Sequence, residues 1–196
     1  MAARLMKRRT RKAPLEPRGT PKITVFDYTA TSFTEKTITR VEEFFQFKKT
    51  PTVTWINISR SDHHEIVEKI GSYFDIHPLV AEDIVQFGQR PKMEDFDNYI
   101  YIVMDMLSRD DKGELKSEQV SIILSKNFVI TFVEGETDVF EPVRERIRKG
   151  KGKLRTLGSD YLVYRLIDAV VEGYFTVLES VGERVEVIEG RCKPQK

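Results

Sequence analysis

Cysteine is almost missing from this chain. Cys192 is alone among 196 residues, which excludes an intramolecular disulfide or a cysteine-rich zinc site and fits a reducing compartment. Long apolar runs are missing too: the longest stretch free of charged, strongly polar, glycine or proline residues is Tyr99 to Met104, far short of the ~20 residues a spanning helix needs. The basic start, MAARLMKRRTRKAPLEPRG, carries no apolar stretch behind its charges, so no secretory signal peptide is expected. These absences describe a water-soluble intracellular module. An excess of one charge is also lacking. With 32 Lys and Arg against 31 Asp and Glu, no global field favours nucleic acid or an anionic membrane.

Catalytic signatures are absent as well. The chain has no GxSxG, no GxxxxGK[ST], no HExxH and no GxGxxG after a strand, and it is not expected to be an enzyme. Its histidines, His63, His64 and His77, fall where helices begin. Adjacent histidines on a helix point about 100° apart and cannot chelate one metal as an i, i+4 pair does.

What is present is organisation. Residues 1 to 21 hold six Lys or Arg between Arg4 and Lys12, then three prolines, with no apolar periodicity, and read as a disordered basic arm. From residue 22 the pattern is β-rich: ITVFDY and FTEKTITRV predict two strands, and TVTWINI (Thr52 to Ile58) a third, apolar on both faces and therefore covered on both. Trp55 is its core anchor. Asp62 and Glu65 form a capping-box-like start to a helix carrying Ile66, Ile70 and Tyr73 that stops near Phe74. Pro78 suits the first turn of a second helix, Pro78 to Gln86, with Leu79, Val80 and Ile84 facing inward. QRPK follows as a break. NYIYIVMDML, EQVSIIL and NFVITFV then predict a three-stranded antiparallel meander, with SRDDKGE as the first hairpin turn and Lys126 and Asn127 at the second. The strands together make a mixed sheet of about six, in an α/β (α+β) domain over residues 22 to 157.

The last part of the chain is helical. VFEPVRERIRK predicts a short helix ended by GKGK. From Ser159 no proline occurs until Pro194, and Val163, Ile167, Val170, Tyr174, Leu178, Val181, Val185 and Ile188 recur at spacings of three and four. That is one long amphipathic helix, over about 158 to 193, with a near-heptad seam. It is too long for a small domain, so its far half must pack on later chain or on another subunit.

Carboxylates are the population with chemical promise. Mg²⁺ takes hard oxygen ligands and keeps several waters, so one or two carboxylates can hold it. Glu82 and Asp83 offer an adjacent pair, and Asp168 lies in the apolar context LIDAVV, where a carboxylate needs a partner. Arg165, at i−3, is a structural partner for it. Spacing alone leaves the structural and metal-binding readings of all three open.

Several stretches decide what spacing does not. TWINI (Thr54 to Ile58), DIHPLVAEDI (Asp75 to Ile84), QRPK (Gln89 to Lys92), NYIYIV (Asn98 to Val103), EQVSIIL (Glu118 to Leu124), DVFEPVRERIR (Asp138 to Arg148) and DYLVYRLIDAVVEGYF (Asp160 to Phe175) resemble, in order and spacing, the cytosolic N-terminal domain of CorA-type magnesium channels. The resemblance covers residues 23 to 190. It implies a mixed sheet of six to seven strands between two sets of helices, a homopentamer, and sensing of cytosolic Mg²⁺, with Co²⁺ or other divalent cations possible, at sites between subunits. By matching position Asp83 becomes the principal sensing carboxylate, with Glu82 and Asp168 in an adjacent second site. Both sites in the family also use an acidic residue on a later stalk helix, beyond Lys196. The implied place is the cytoplasmic side of the cell membrane, reached only through a region beyond these residues. Two alternatives stand beside it: the cytosolic domain of a zinc-exporting relative, and a soluble nucleic-acid-binding protein using the basic arm, although no nucleic acid is expected.

Overall fold

Alternation of apolar and polar side chains along each strand sends residues to opposite faces of a sheet, and here most strands have something apolar to send both ways. The computed structural model describes residues 21–59, 64–109, 113–135 and 137–192. Among them the strands are β1 (Lys22–Tyr28), β2 (Phe33–Ile38), β3 (Val53–Ser59), β4 (Lys92–Phe96), β5 (Tyr99–Arg109), β6 (Leu115–Leu124) and β7 (Phe128–Val133). The helices are α1 (His64–Phe74), α2 (Pro78–Val85), α3 (Glu141–Lys149) and α4 (Ser159–Cys192), with a 3-10 helix at Val41–Lys49. One seven-stranded sheet runs β2-β1-β3-β7-β6-β5-β4. It is antiparallel except where β3 lies parallel to β7.

Two cores flank this sheet. Ile56 and Ile58 of β3, Ile130 and Phe132 of β7 and Tyr101 and Val103 of β5 pack under Val67, Ile70 and Phe74 of α1 and Val80 and Ile84 of α2. Trp55, Val129, Val120 and Ile122 face the other way, against Val143 and Ile147 of α3 and Leu162, Leu166 and Val170 of α4. The expected mixed sheet between helices is therefore present, and β3 is covered on both faces. Trp55 is fully buried: Phe26 stacks on it at 5.1 Å, Phe140 meets it edge-on at 5.9 Å, and its Nε1 donates to Thr131 Oγ1 at 3.0 Å.

Several expectations need correction. The sequence places a break at QRPK and no strand in KMEDF, where three of five residues are charged; the latter forms the edge strand β4, whose partner β5 supplies the ladder. The second strand stops at Ile38, and Val41 opens the 3-10 helix, where Arg40 N donates to Glu43 Oε1 and Glu43 N to Arg40 O. Leu79 does not face inward. It is 64% exposed, because Pro78 sets α2 so that Val80 and Ile84, four apart, take the buried stripe. Residues 1–20 of the basic arm, Asp62, His63 and the tip of the SRDDKGE turn lie outside the described residues.

The seam of α4 also differs from the expected one. Leu162, Val163, Leu166, Val170 and Val177 are buried, whereas Leu178, Val181, Val185 and Ile188 are exposed. A helix of 3.6 residues per turn drifts off a near-heptad stripe, so Val177 rather than Leu178 keeps contact with the sheet layer. The far half extends beyond it uncovered. Where α4 crosses β5, Gly173 permits the approach: a Cβ there would lie 2.8 Å from the Leu107 carbonyl oxygen, and Tyr174 OH donates to the Asp105 carbonyl. Replacing Gly173 with Ala should therefore lift α4 off β5 and cost about 1–3 kcal/mol, read from urea denaturation; an unchanged midpoint would show that the crossing has slack.

At the opposite edge, ion pairs bind β2 to α3. Arg148 forks onto Glu35 at 2.7 and 2.8 Å and also reaches Glu141. Its guanidinium holds the Glu35 and Glu141 carboxyls below their ordinary value of 4.5. Carboxyls that are more acidic in the folded chain stabilise it fully above their unfolded value and lose that contribution as pH falls through the folded one. Thermal midpoints should thus drop on acidification below about 4.5, and Arg148→Met should flatten that part of the profile; parallel profiles for the two proteins would contradict it.

Candidate metal centre

The turn that carries Glu82 and Asp83 is built before either residue is reached. α1 ends where Asp75 takes a left-handed conformation, φ 58°, and Lys48 clamps it, donating to the Asp75 carboxylate at 2.7 Å and the Tyr73 carbonyl at 2.6 Å. His77 then caps α2, its Nδ1 accepting from Leu79 N at 3.2 Å, while its own backbone N donates to Tyr99 OH at 2.9 Å. Of the histidines, His77 thus stands at a helix start, as expected, and caps it, and His64 is the first residue of α1.

Asp83 sits in the second turn of α2 and points to the sheet edge. Lys92, the first residue of β4, donates to Asp83 Oδ2 at 2.7 Å and to Glu94 Oε1 at 2.9 Å. The ammonium lies 5.5 Å from the centre of the Tyr101 ring. Hydrogen bonding to Asp83, and secondarily to Glu94, holds Lys92 protonated beyond the ordinary lysine range against the opposing effect of partial burial. Glu82 is exposed and accepts from Gln86 Nε2. It rims a groove of about 510 Å³ between α1 and α2, with Glu68 and Asp75.

Gln119, buried on β6, fixes this turn from beneath. Its Nε2 donates to the Asp83 carbonyl at 3.0 Å, and its Oε1 accepts from Gly88 N and Gln89 N, both at 3.0 Å. One amide thereby engages one backbone group of α2 and two of the segment joining α2 to β4. Sequence reasoning missed both Lys92 and Gln119. QRPK read as a break and EQVSIIL as a strand, and nothing in one-dimensional spacing says that a strand glutamine reaches a helix 36 residues earlier.

Asp168 is elsewhere. It lies on α4, about a third exposed, paired with Arg165 Nη1 at 2.9 Å, the partner that spacing offered. α2 packs into the core on one face of the sheet and α4 into the core on the other, so the structure sets Asp168 apart from Glu82 and Asp83. Among the described residues no group of three or more His, Cys, Asp or Glu is gathered as a cage. The donor chemistry suits Mg²⁺, since carboxylate oxygens completed by water are what it accepts, but one copy offers a partial shell.

Comparison with known proteins follows from this geometry. A family model described as CorA-like Mg²⁺ transporter protein matches residues 51–196. The cobalt/magnesium transport protein CorA of Thermotoga maritima is 47% identical over 177 residues, covering 89% of this chain and 50% of that protein; the chain thus spans about half its length. Among solved structures, full-length CmaX superposes with a TM-score of 0.73 at 12% identity, covering 91% of this chain and 54% of that one. The soluble domain of CorA from Methanocaldococcus jannaschii does so at 0.61 and 14%, covering 86% and 63%. These two likenesses establish the fold. Among the described residues no helix is long and apolar enough to cross a membrane.

Gln119→Leu would leave the Asp83 carbonyl and two loop amides without their partner, at a cost of about 1–3 kcal/mol. Amide exchange at Gly88 and Gln89 should accelerate well beyond the change at β7, a difference that uniform destabilisation would not produce.

Proposed function

Since the chain belongs to the CorA-like Mg²⁺ transporter family, we propose that it is the cytosolic regulatory domain of a divalent-cation channel, sensing Mg²⁺, with Co²⁺ an alternative ion, and gating import by ion binding between subunits. The family is one of transporters, in keeping with the missing catalytic signatures. The observation that carries the proposal is the separation of the carboxylates. Glu82 and Asp83 belong to one helical layer and Asp168 to the other, so a site that combines Asp168 with either of them draws its carboxylates from two copies. The uncovered far half of α4, with Leu178, Val181, Val185 and Ile188 exposed, supports an assembly in which more chain lies against this helix, and the family's homopentamer is the proposed form.

In that assembly Asp83 is the principal sensing carboxylate, and Glu82 and Asp168 contribute to a neighbouring site. When cytosolic Mg²⁺ is plentiful, facing carboxylates of adjacent subunits are neutralised and the ring is held closed. As the ion is lost, the carboxylates repel one another, the subunits loosen and the pore is freed to open. Import then limits itself. The 47% identity to a cobalt/magnesium transport protein favours these ions over the zinc-exporting alternative, and the balanced charge of the chain gives nucleic acid no general attraction.

Millimolar Mg²⁺ or Co²⁺ should raise the thermal midpoint of the chain modestly and move its sedimentation toward larger species. Asp83→Asn combined with Asp168→Asn should suppress both effects. A wild-type chain indifferent to the ions in both measurements would show that these residues by themselves hold no competent site.

A further inference from the structure

Asp83 is already engaged by a cation, one that belongs to the chain. Lys92 Nζ stands 2.7 Å from Asp83 Oδ2, and the pair is partly sheltered, with the two side chains 31% and 24% exposed. A divalent ion bound to a carboxylate oxygen sits about 2.0–2.6 Å from it. An ammonium touching the same oxygen would then lie within a few ångströms of a doubly charged ion, where like-charge repulsion is strong in a partly buried setting. Ion and ammonium therefore compete for Asp83.

Lys92 has somewhere else to go. Glu94 Oε1 already lies 2.9 Å from the same Nζ, on the same strand and the same face two residues on. Glu94 pairs across the ladder with Tyr101, whose ring lies under the ammonium at 5.5 Å. The amine can thus leave Asp83 while keeping a carboxylate and an aromatic face. We propose that Lys92 is a tethered counter-cation of the sensing site, neutralising Asp83 when no divalent ion is bound and shifting onto Glu94 when one is, so that ion affinity is set by competition with this lysine. The inference rests on Asp83 being a sensing carboxylate, as proposed above.

Two consequences follow. With its sites empty, a copy holds one lysine against two carboxylates, Asp83 and Glu94, so α2 is kept at the sheet edge while a net negative charge remains to repel the neighbouring copy. The ion concentration needed for binding is also raised, because a resident cation must first be displaced. Threshold and affinity are then tuned through Lys92 and Glu94, which need never touch the ion.

The test is a titration of the intact chain with Co²⁺ and Mg²⁺, followed by the side-chain carboxyl carbon signals of Asp83 and Glu94 and, separately, by the thermal midpoint. In wild type the Glu94 signal should move in step with that of Asp83. Lys92→Met should lower the ion concentration at half-response about three- to tenfold, the scale of losing one partly exposed ion pair. Glu94→Gln should raise it, because it removes the second seat and leaves Lys92 with Asp83 alone. If Asp83→Asn abolishes the response while Lys92→Met and Glu94→Gln both titrate like wild type, the counter-cation is refuted and the sensing role of Asp83 stands. If neither wild type nor Lys92→Met responds at Asp83, these residues hold no competent site by themselves and the competition proposed for them is overturned.

Discussion

The parallel pairing of β3 with β7 is the constraint on which the rest of this structure depends. Its register sets Trp55 beside Val129 and Ile56 beside Ile130, so a central pair of strands presents apolar side chains to both faces. Each face then requires a helical layer, because apolar area left in water weakens the fold by roughly 25 cal/mol per Å². α1 and α2 cover one face, and α3 and the first half of α4 the other. Separation of the carboxylates follows directly, since α2 and α4 are held apart by the sheet they both protect.

Polar side chains then attach the periphery to this centre. Gln119 binds the segment after α2, Arg148 binds the edge strand β2 to α3, and Lys92 binds β4 to Asp83. Each serves backbone or charge that would otherwise lack a partner, at positions where the apolar cores no longer reach. In the proposed sensor this division has a use. The apolar layers supply a rigid frame, while the charged edge near Asp83 can exchange one cation for another without disturbing a core.

The candidate site was legible in proportion to how local its cause is. Pro78 and His77 announce the start of α2 because a helix N-terminus needs a fixed φ and an acceptor for free N–H groups, and Arg165 was found as the partner of Asp168 because both lie on one helix at i, i+3. Lys92 and Gln119 were not found, since their contacts with Asp83 join separate elements. Leu79 was misread for a related reason. A short apolar run at a helix start satisfies several rotations of the helix, and only the position of the sheet beneath selects Val80 and Ile84 for burial.

Sequence by itself determined the order and type of most elements, the doubly buried central strand, the length of the terminal helix and, through resemblance, the family. Those follow from periodicity, turn residues and composition, which act over a few residues at a time. Only the tertiary structure decided that KMEDF forms an edge strand, which rotation α4 presents to β5, and that Asp83 carries a lysine while Asp168 stands on the other side of the sheet. Such facts depend on which elements become neighbours. Neighbourhood is set by the burial of two whole faces, a property that no local window of the chain contains.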